Sequence, residues 1–385
     1  MNKEFLTVAF LNFFVYFVFY ILVSTIAPYA SFVLKESTAI SGLASGIFVI
    51  GILFGRLYAG SKAIGTSPRK IVIYGAFLFF LLSIFYPFAN KATSLIVVRF
   101  LHGVSFGIVH NAGGTIAARI LPASKRGEGI AYYTLGQIIA AALGPFIGME
   151  FLRKNNFGML FSVAIIVSFF SLVLSFMISD QKKYEVKNTK SDKDSSKYIE
   201  FTAIPVSSLI MITGLSYSSV LAFISMYGTS IKLDRIAGYF FIFYAITVFT
   251  TRPISGRLLD MWGAEKVLYP CILFFSVGMF LLADTRSGVS LVISAVFIGL
   301  GYGNILSLGQ AEAVKKVSDK RIGLAISTYY IFLDIGAGIG PYVAGALIPY
   351  LGYRNLYLLM SLVVALTVPI YWVLKRCITQ IRFVF

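Results

Sequence analysis

Leu101-His102-Gly103-Val104-Ser105-Phe106-Gly107-Ile108-Val109-His110-Asn111-Ala112-Gly113 returns 196 residues later as Phe297-Ile298-Gly299-Leu300-Gly301-Tyr302-Gly303-Asn304-Ile305-Leu306-Ser307-Leu308-Gly309. Glycine holds three shared places, 103/299, 107/303 and 113/309. Moving outward at the same offset, Gly42 meets Gly238, Gly60 meets Gly256, Gly127 meets Gly323 and Gly144 meets Gly340. Arg56 also meets Arg252, and Pro145 meets Pro341. Seven glycines therefore fall on glycines, where 34 Gly scattered through 385 residues give about 1.5 such matches. The chain is built from two copies of one unit.

Composition decides what the unit is made of. The chain is 58% hydrophobic and 13% charged, too apolar for a water-soluble protein of this length. Cys271 and Cys377 lie far apart and give neither a disulfide framework nor metal-ligand spacing. A net charge of +17 suggests nucleic acid in a soluble protein, but here no basic stripe or soluble module carries it. Basic loops beside an anionic leaflet account for it instead. The first apolar run, Phe5 to Leu34, is too long for a cleavable signal and reads as a spanning helix.

A bilayer core of about 30 Å takes about 20 apolar residues per helix. Runs of that kind lie near 5–34, 39–61, 71–90, 93–118, 129–151 and 157–179, then near 202–230, 236–259, 267–286, 287–314, 322–350 and 353–375. The expectation is an all-α membrane protein of twelve transmembrane helices in two pseudo-symmetric six-helix bundles, 1–179 and 201–385. Between them, 180–200 is polar and Lys-rich and reads as a linker. The face with both termini and the linker collects 22 Lys and Arg, and the other collects 8. The positive-inside bias therefore puts both termini in the cytoplasm of a multi-pass cell-membrane protein. The three arginines left over, Arg56, Arg99 and Arg252, fall inside spans.

Several motifs carry a family likeness. Gly256-Arg257-Leu258-Leu259-Asp260-Met261-Trp262-Gly263, followed by Lys266, follows the eighth span. Its first copy keeps Gly60, Arg69 and Lys70 but has Ile64 in place of the acid and Ser67 in place of the second glycine. The fourth span reads Arg99-Phe100-Leu101-His102-Gly103. The fifth holds Gly144-Pro145 and the eleventh Gly336-x-x-x-Gly340-Pro341-x-x-Ala344-Gly345. The chain resembles the major facilitator superfamily in these places, in particular its twelve-helix drug:proton antiporter branch. The resemblance implies parallel repeats around a shared pathway. It implies a cytoplasmic gate at Arg56, Gly60, Arg252, Gly256, Arg257, Asp260 and Gly263, in which Asp260 pairs with basic groups. Ile64 cannot act as that acid in the first copy. It ties Arg99 to proton coupling, with His102 where relatives carry Gln. It associates the helix-bend elements Gly144, Pro145, Gly340 and Pro341 with exporters. The alternative for these Gly-Pro elements is close helix packing alone.

Polar groups at bilayer depth are expensive, so each is a candidate site. Arg99, His102 and His110 stand at offsets 0, 3 and 11, which places them on one helical face bordered by Asn111. The alternatives are an Arg99 that snorkels to the outer interface and histidines that are satisfied core groups. Asp334 is the one carboxylate well inside a span, in line with Ser327 and Tyr330. It is a candidate proton carrier, a hook for a substrate amine, or a helix-to-helix hydrogen bond. Asn12, Tyr16, Tyr20 and Ser24 form a stripe on the first span. Tyr217 on the seventh span, and Asn304 and Gln310 on the tenth, join them because spans 1, 4, 7 and 10 line the pathway in the resembled family. Arg56 and Arg252 suit contacts to an anionic cargo, or alternatively to lipid phosphates or the gate.

The expected function is secondary transport of a small solute by a monomer in the bilayer, with protons running the other way. No Walker-type phosphate loop is visible, and no cofactor or metal site is expected. Three Arg and two His against one Asp favour an anionic or zwitterionic cargo. The Lys- and Phe-rich composition is similar to transporters of low-GC Gram-positive bacteria, some of which export opine-type metallophores such as staphylopine. A broad multidrug exporter and uptake of sugar or organic acid are the alternatives. An intramembrane enzyme would need a nucleophile-base or metal constellation, and none is spaced for it. A sensor would carry a soluble signalling domain.

Overall fold

The computed structural model describes residues 3–62, 66–121, 126–179, 199–315, 317 and 321–381, with backbone alone at 61–62, 126–128, 130–131, 260, 264 and 377–381. Most of the expected linker, 180–198, lies outside the described residues, as does Ile64. The described chain is helical without a strand and divides into two compact units, Met1–Lys190 and Ser191–Phe385.

The first unit begins with α1 (Lys3–Val23) and α2 (Ile26–Phe32). Sequence reading expects one helix here, but the span breaks at Ser24-Thr25. Pro28 has no amide to give the Ser24 carbonyl, and the chain restarts so that the proline falls in a first turn. Thr25 Oγ1 covers the loose end by donating to the Ile21 carbonyl at 2.7 Å. Then come α3 (Thr38–Lys62), α4 (Pro68–Ile84), α5 (Ala92–Ile120), α6 (Arg126–Arg153) and α7 (Phe157–Phe176). A short 3-10 turn, Tyr86–Phe88, follows α4.

Helix α5 packs on α3 and α4, and α1 packs on α6 and α7. The α3–α5 contact is backbone against backbone. A Cβ on Gly103 would collide with the Phe48 carbonyl, and one on Gly55 with the Val104 carbonyl. In lipid, where burying apolar surface gives helices little reason to associate, such closeness supplies the van der Waals contact. Gly144 gives α6 the same closeness to Tyr20 and Ile21 of α1.

The second unit contains α8 (Ile204–Ser230), the one-turn α9 (Asp234–Ala237), α10 (Tyr239–Trp262), α11 (Ala264–Ala283), α12 (Gly288–Ile298), α13 (Asn304–Val314) and α14 (Ile322–Ile381). The tenth span is therefore not a simple helix: Gly299–Gly303 form a π turn between α12 and α13. Helix α14 is two spans meeting at Gly352, whose φ of 69° and ψ of 169° leave the helical region. Gly340 stands against Ser218 and Leu215 of α8, the counterpart of Gly144 against α1.

Ten stretches among the described residues are long and apolar enough to cross a bilayer. One of them, Ile322–Arg376, is the pair joined at Gly352, and α10 adds a further helix of 24 residues, about 36 Å long. Among the described residues this makes twelve spans. Pro145 and Pro341 lie inside helices that run through them without a break.

Candidate functional site

Arg99 and His102 sit one turn apart on α5 and are both fully buried. Arg99 does not snorkel. Its Nε donates to the Ala44 carbonyl at 3.1 Å, Nη2 to the Ser45 carbonyl at 3.2 Å and Nη1 to Tyr86 Oη at 3.3 Å. The guanidinium carbon lies 4.4 Å over the Phe48 ring. Among the described residues no carboxylate approaches it, so two carbonyls, a phenol and a ring face hold a full positive charge. A lone charge moved from water into such a place costs several kcal/mol, roughly, even after relaxation.

Tyr86 passes the network on. Its hydroxyl lies 2.9 Å from His102 Nδ1, and His102 Nε2 lies 3.2 Å from Ser83 Oγ. Ser83 continues to Ser168 Oγ at 2.8 Å. In a neutral ring, a Tyr86 proton given to Nδ1 leaves Nε2–H to donate to Ser83 Oγ. Phe79 lies beside that ring at 4.2 Å between centroids. Arg99, Tyr86, His102, Ser83 and Ser168 thus form one buried polar chain across α5, the 3-10 turn, α4 and α7.

His110 belongs elsewhere. The offset of 11 from Arg99 puts it on a similar bearing, but three turns further along its neighbour is α1. Tyr16 Oη lies 3.1 Å from His110 Nε2, and the two rings meet edge to face. The expected single face therefore separates into two clusters with different partners, and the Phe106 ring stacks on His110. Asn12 Nδ2 donates to the Tyr133 carbonyl of α6 at 3.3 Å. Tyr20 stacks near Tyr16 with centroids 6.1 Å apart, and Asn111 is half-buried.

In the second unit, Asn304 begins α13 just after the π turn. Its amide donates to Thr251 Oγ1 at 3.0 Å and to the Leu300 carbonyl at 2.9 Å, and its carbonyl accepts from Ser255 Oγ at 2.8 Å. The side chain repairs the backbone bonding that a wide turn disturbs and ties α13 to α10. Tyr330 Oη donates to Gln310 Oε1 at 3.2 Å. Tyr217 stacks on Tyr302 at 4.1 Å and on Tyr244 at 5.3 Å. Asp334 is 4% exposed.

The residues expected at the gate are less closely packed. Gly60 and Gly256 face open space, whereas Gly263 adopts a φ of +81° that demands glycine. Arg257 is exposed, Arg56 and Arg252 are half-buried, and the side chain of Asp260 lies outside the described residues. Arg252 Nε is buried without a partner among the described residues.

Two ion clusters escape sequence reading because their members lie far apart in the chain. Lys375 Nζ pairs with Glu265 and, at 3.1 Å, with Glu312, tying α14 to α11 and α13. Arg321 Nε lies 2.6 Å from Glu200 Oε2. Burial raises the Glu200 carboxyl, but the bonds from Arg321 and Thr202 outweigh it and hold it below the usual range. No group of three His, Cys, Asp or Glu among the described residues is arranged to hold a metal ion.

The sequence profile of the Major Facilitator Superfamily matches residues 8–283 and 206–377. The chain belongs to the major facilitator superfamily. It is 25% identical over 390 residues to the uncharacterised superfamily transporter YhhS of Escherichia coli K12, covering 98% of this chain and 93% of that protein. It is 22% identical over 348 residues to the multidrug resistance protein MdtG of a Rahnella species, covering 86% and 83%. A POT family transporter solved with 5-aminolevulinic acid superposes with a TM-score of 0.82 at 15% identity, over 98% of this chain and 97% of that one. At that identity the likeness establishes the superfamily fold. The protein is a multi-pass membrane transporter.

Proposed function

We propose that this transporter is a proton-driven exporter of a small anionic or zwitterionic solute, best matched by an amino-acid-derived metallophore of the staphylopine type. The observation that carries the cargo reading is Arg99, a fully buried cation without a carboxylate partner among the described residues. With Arg56 on the neighbouring α3, it leaves the first unit's interior positively biased, which suits carboxylates and repels lipophilic cations. Asp334 is the buried acid that trades a proton against cargo. The termini are cytoplasmic, and each unit carries its own gate element, Arg56 in the first and Arg252 with the Gly263 turn after α10 in the second.

A deletion strain tests this reading. Small molecules in the cytoplasm and the spent medium are compared with and without metal starvation. A carboxylate-rich chelator held inside the deletion strain supports the proposal. Unchanged metabolites together with new sensitivity to cationic dyes reject it in favour of multidrug export, the second reading, which the similarity to MdtG supports.

A further inference from the structure

The repeat makes an internal comparison possible. Tyr133 on α6 and Tyr329 on α14 stand at the 196-residue offset, and so do Gly113 and Gly309, which face them. In both units the tyrosine hydroxyl reaches the bare glycine of the facing helix: a Cβ on Gly113 would lie 3.3 Å from Tyr133 Oη, and one on Gly309 would lie 2.9 Å from Tyr329 Oη. The two hydroxyls then part company. Tyr329 donates to the Leu306 carbonyl at 2.8 Å. Tyr133, 5% exposed, has no partner among the described residues. The position matching Leu306 is His110, whose ring is bonded to Tyr16.

A buried hydroxyl without a partner is costly in any protein and more so in a bilayer, where water is scarce. In the second unit the same tyrosine is satisfied internally, so geometry does not force the first to be bare. Asn12 holds the Tyr133 carbonyl, and Tyr16 holds His110, three residues before the glycine that Tyr133 faces. A buried donor of this kind calls for an acceptor, and an anionic one gives the strongest bond.

We infer that Tyr133 Oη is a cargo-contacting donor: with the Tyr16–His110 pair it forms a subsite in the first unit for one carboxylate of the transported molecule. This rests on the carboxylate-cargo reading above and adds the residue that recognises the group.

The test uses the full chain purified in detergent. Binding of N-(1-carboxyethyl)-L-aspartate and of its trimethyl ester is measured by calorimetry for wild type, Tyr133→Phe and Tyr329→Phe, with melting temperatures taken in parallel. Tyr133→Phe is expected to weaken binding of the acid about tenfold, as loss of one hydrogen bond to a charged group does, and to leave its melting temperature unchanged. Tyr329→Phe is expected to melt lower and bind the acid like wild type. Unchanged acid affinity in Tyr133→Phe overturns the subsite alone. So does a fall in its melting temperature matching that of Tyr329→Phe, which makes the hydroxyl structural. Wild-type protein that binds the ester as well as the acid, or fails to bind the acid, overturns the carboxylate reading and takes the subsite with it.

Discussion

Arg99 Nη1 and His102 Nδ1 address the same oxygen, Tyr86 Oη, from 3.3 Å and 2.9 Å. One phenol therefore couples a buried guanidinium to a buried imidazole, and any change at one end is felt at the other. Arg99→Lys keeps the charge but cannot reach two carbonyls and the phenol at once with a single ammonium. Losing two charge-assisted bonds is expected to lower transport at least about tenfold while the protein still inserts. Initial rates in inverted vesicles check this against membrane protein content.

His102→Gln is expected to behave nearly like wild type, since an amide offers both the acceptor for Tyr86 and the donor for Ser83. His102→Leu leaves Tyr86 Oη with a buried proton and no acceptor, at a cost of about 1–3 kcal/mol. Thermal unfolding in detergent separates the two. Equal melting temperatures would remove His102 from the network.

Asp334→Asn retains a hydrogen-bonding side chain of the same size and removes the titration. Transport driven by an imposed proton gradient is expected to fall at least about tenfold, while exchange of labelled for unlabelled cargo without a gradient continues. Intact gradient-driven transport in the variant assigns the proton to another group.

Gly103→Ala places a methyl against the Phe48 carbonyl and forces α3 and α5 apart. Overpacking of this kind costs about 1–3 kcal/mol. Gly60→Ala, where nothing lies within 4 Å, is expected to be neutral for stability. The melting temperatures of the pair report whether glycine at each place serves packing or only the gate motif.

Glu200 supplies a pH test. Its carboxyl is held low by Arg321 and Thr202, so the stability it contributes is full above the unfolded glutamate value of about 4.3 and is lost as pH falls through the lower folded value. Glu200→Gln is expected to lower the melting temperature near neutral pH and to flatten its decline in acid. A parallel acid limb in the variant would show that Arg321 does not hold this carboxylate.

The fold was legible because glycine spacing and span length are local signals. Each span announces itself within about 20 residues, and the two copies confirm each other. Single residues at depth were legible only as types. The face shared by Arg99, His102 and His110 follows from helical arithmetic, but which neighbour each side chain meets depends on α1, α3 and α4, and no spacing within α5 records that. The π turn was hidden because the Asn304 side chain that repairs it does so through Thr251 and Ser255, 53 and 49 residues earlier. Tyr133 was overlooked because its interest lies in a bond that its repeat mate makes and it does not.

Gly352 joins the eleventh and twelfth spans through a single residue outside the helical region. No loop residues are available there to take up slack. A tilt of the eleventh span therefore has to be absorbed at Gly352 itself or passed on to the twelfth. An epitope or fluorescent reporter spliced at this corner would unseat both arms, so labels for following the motion belong at other connections.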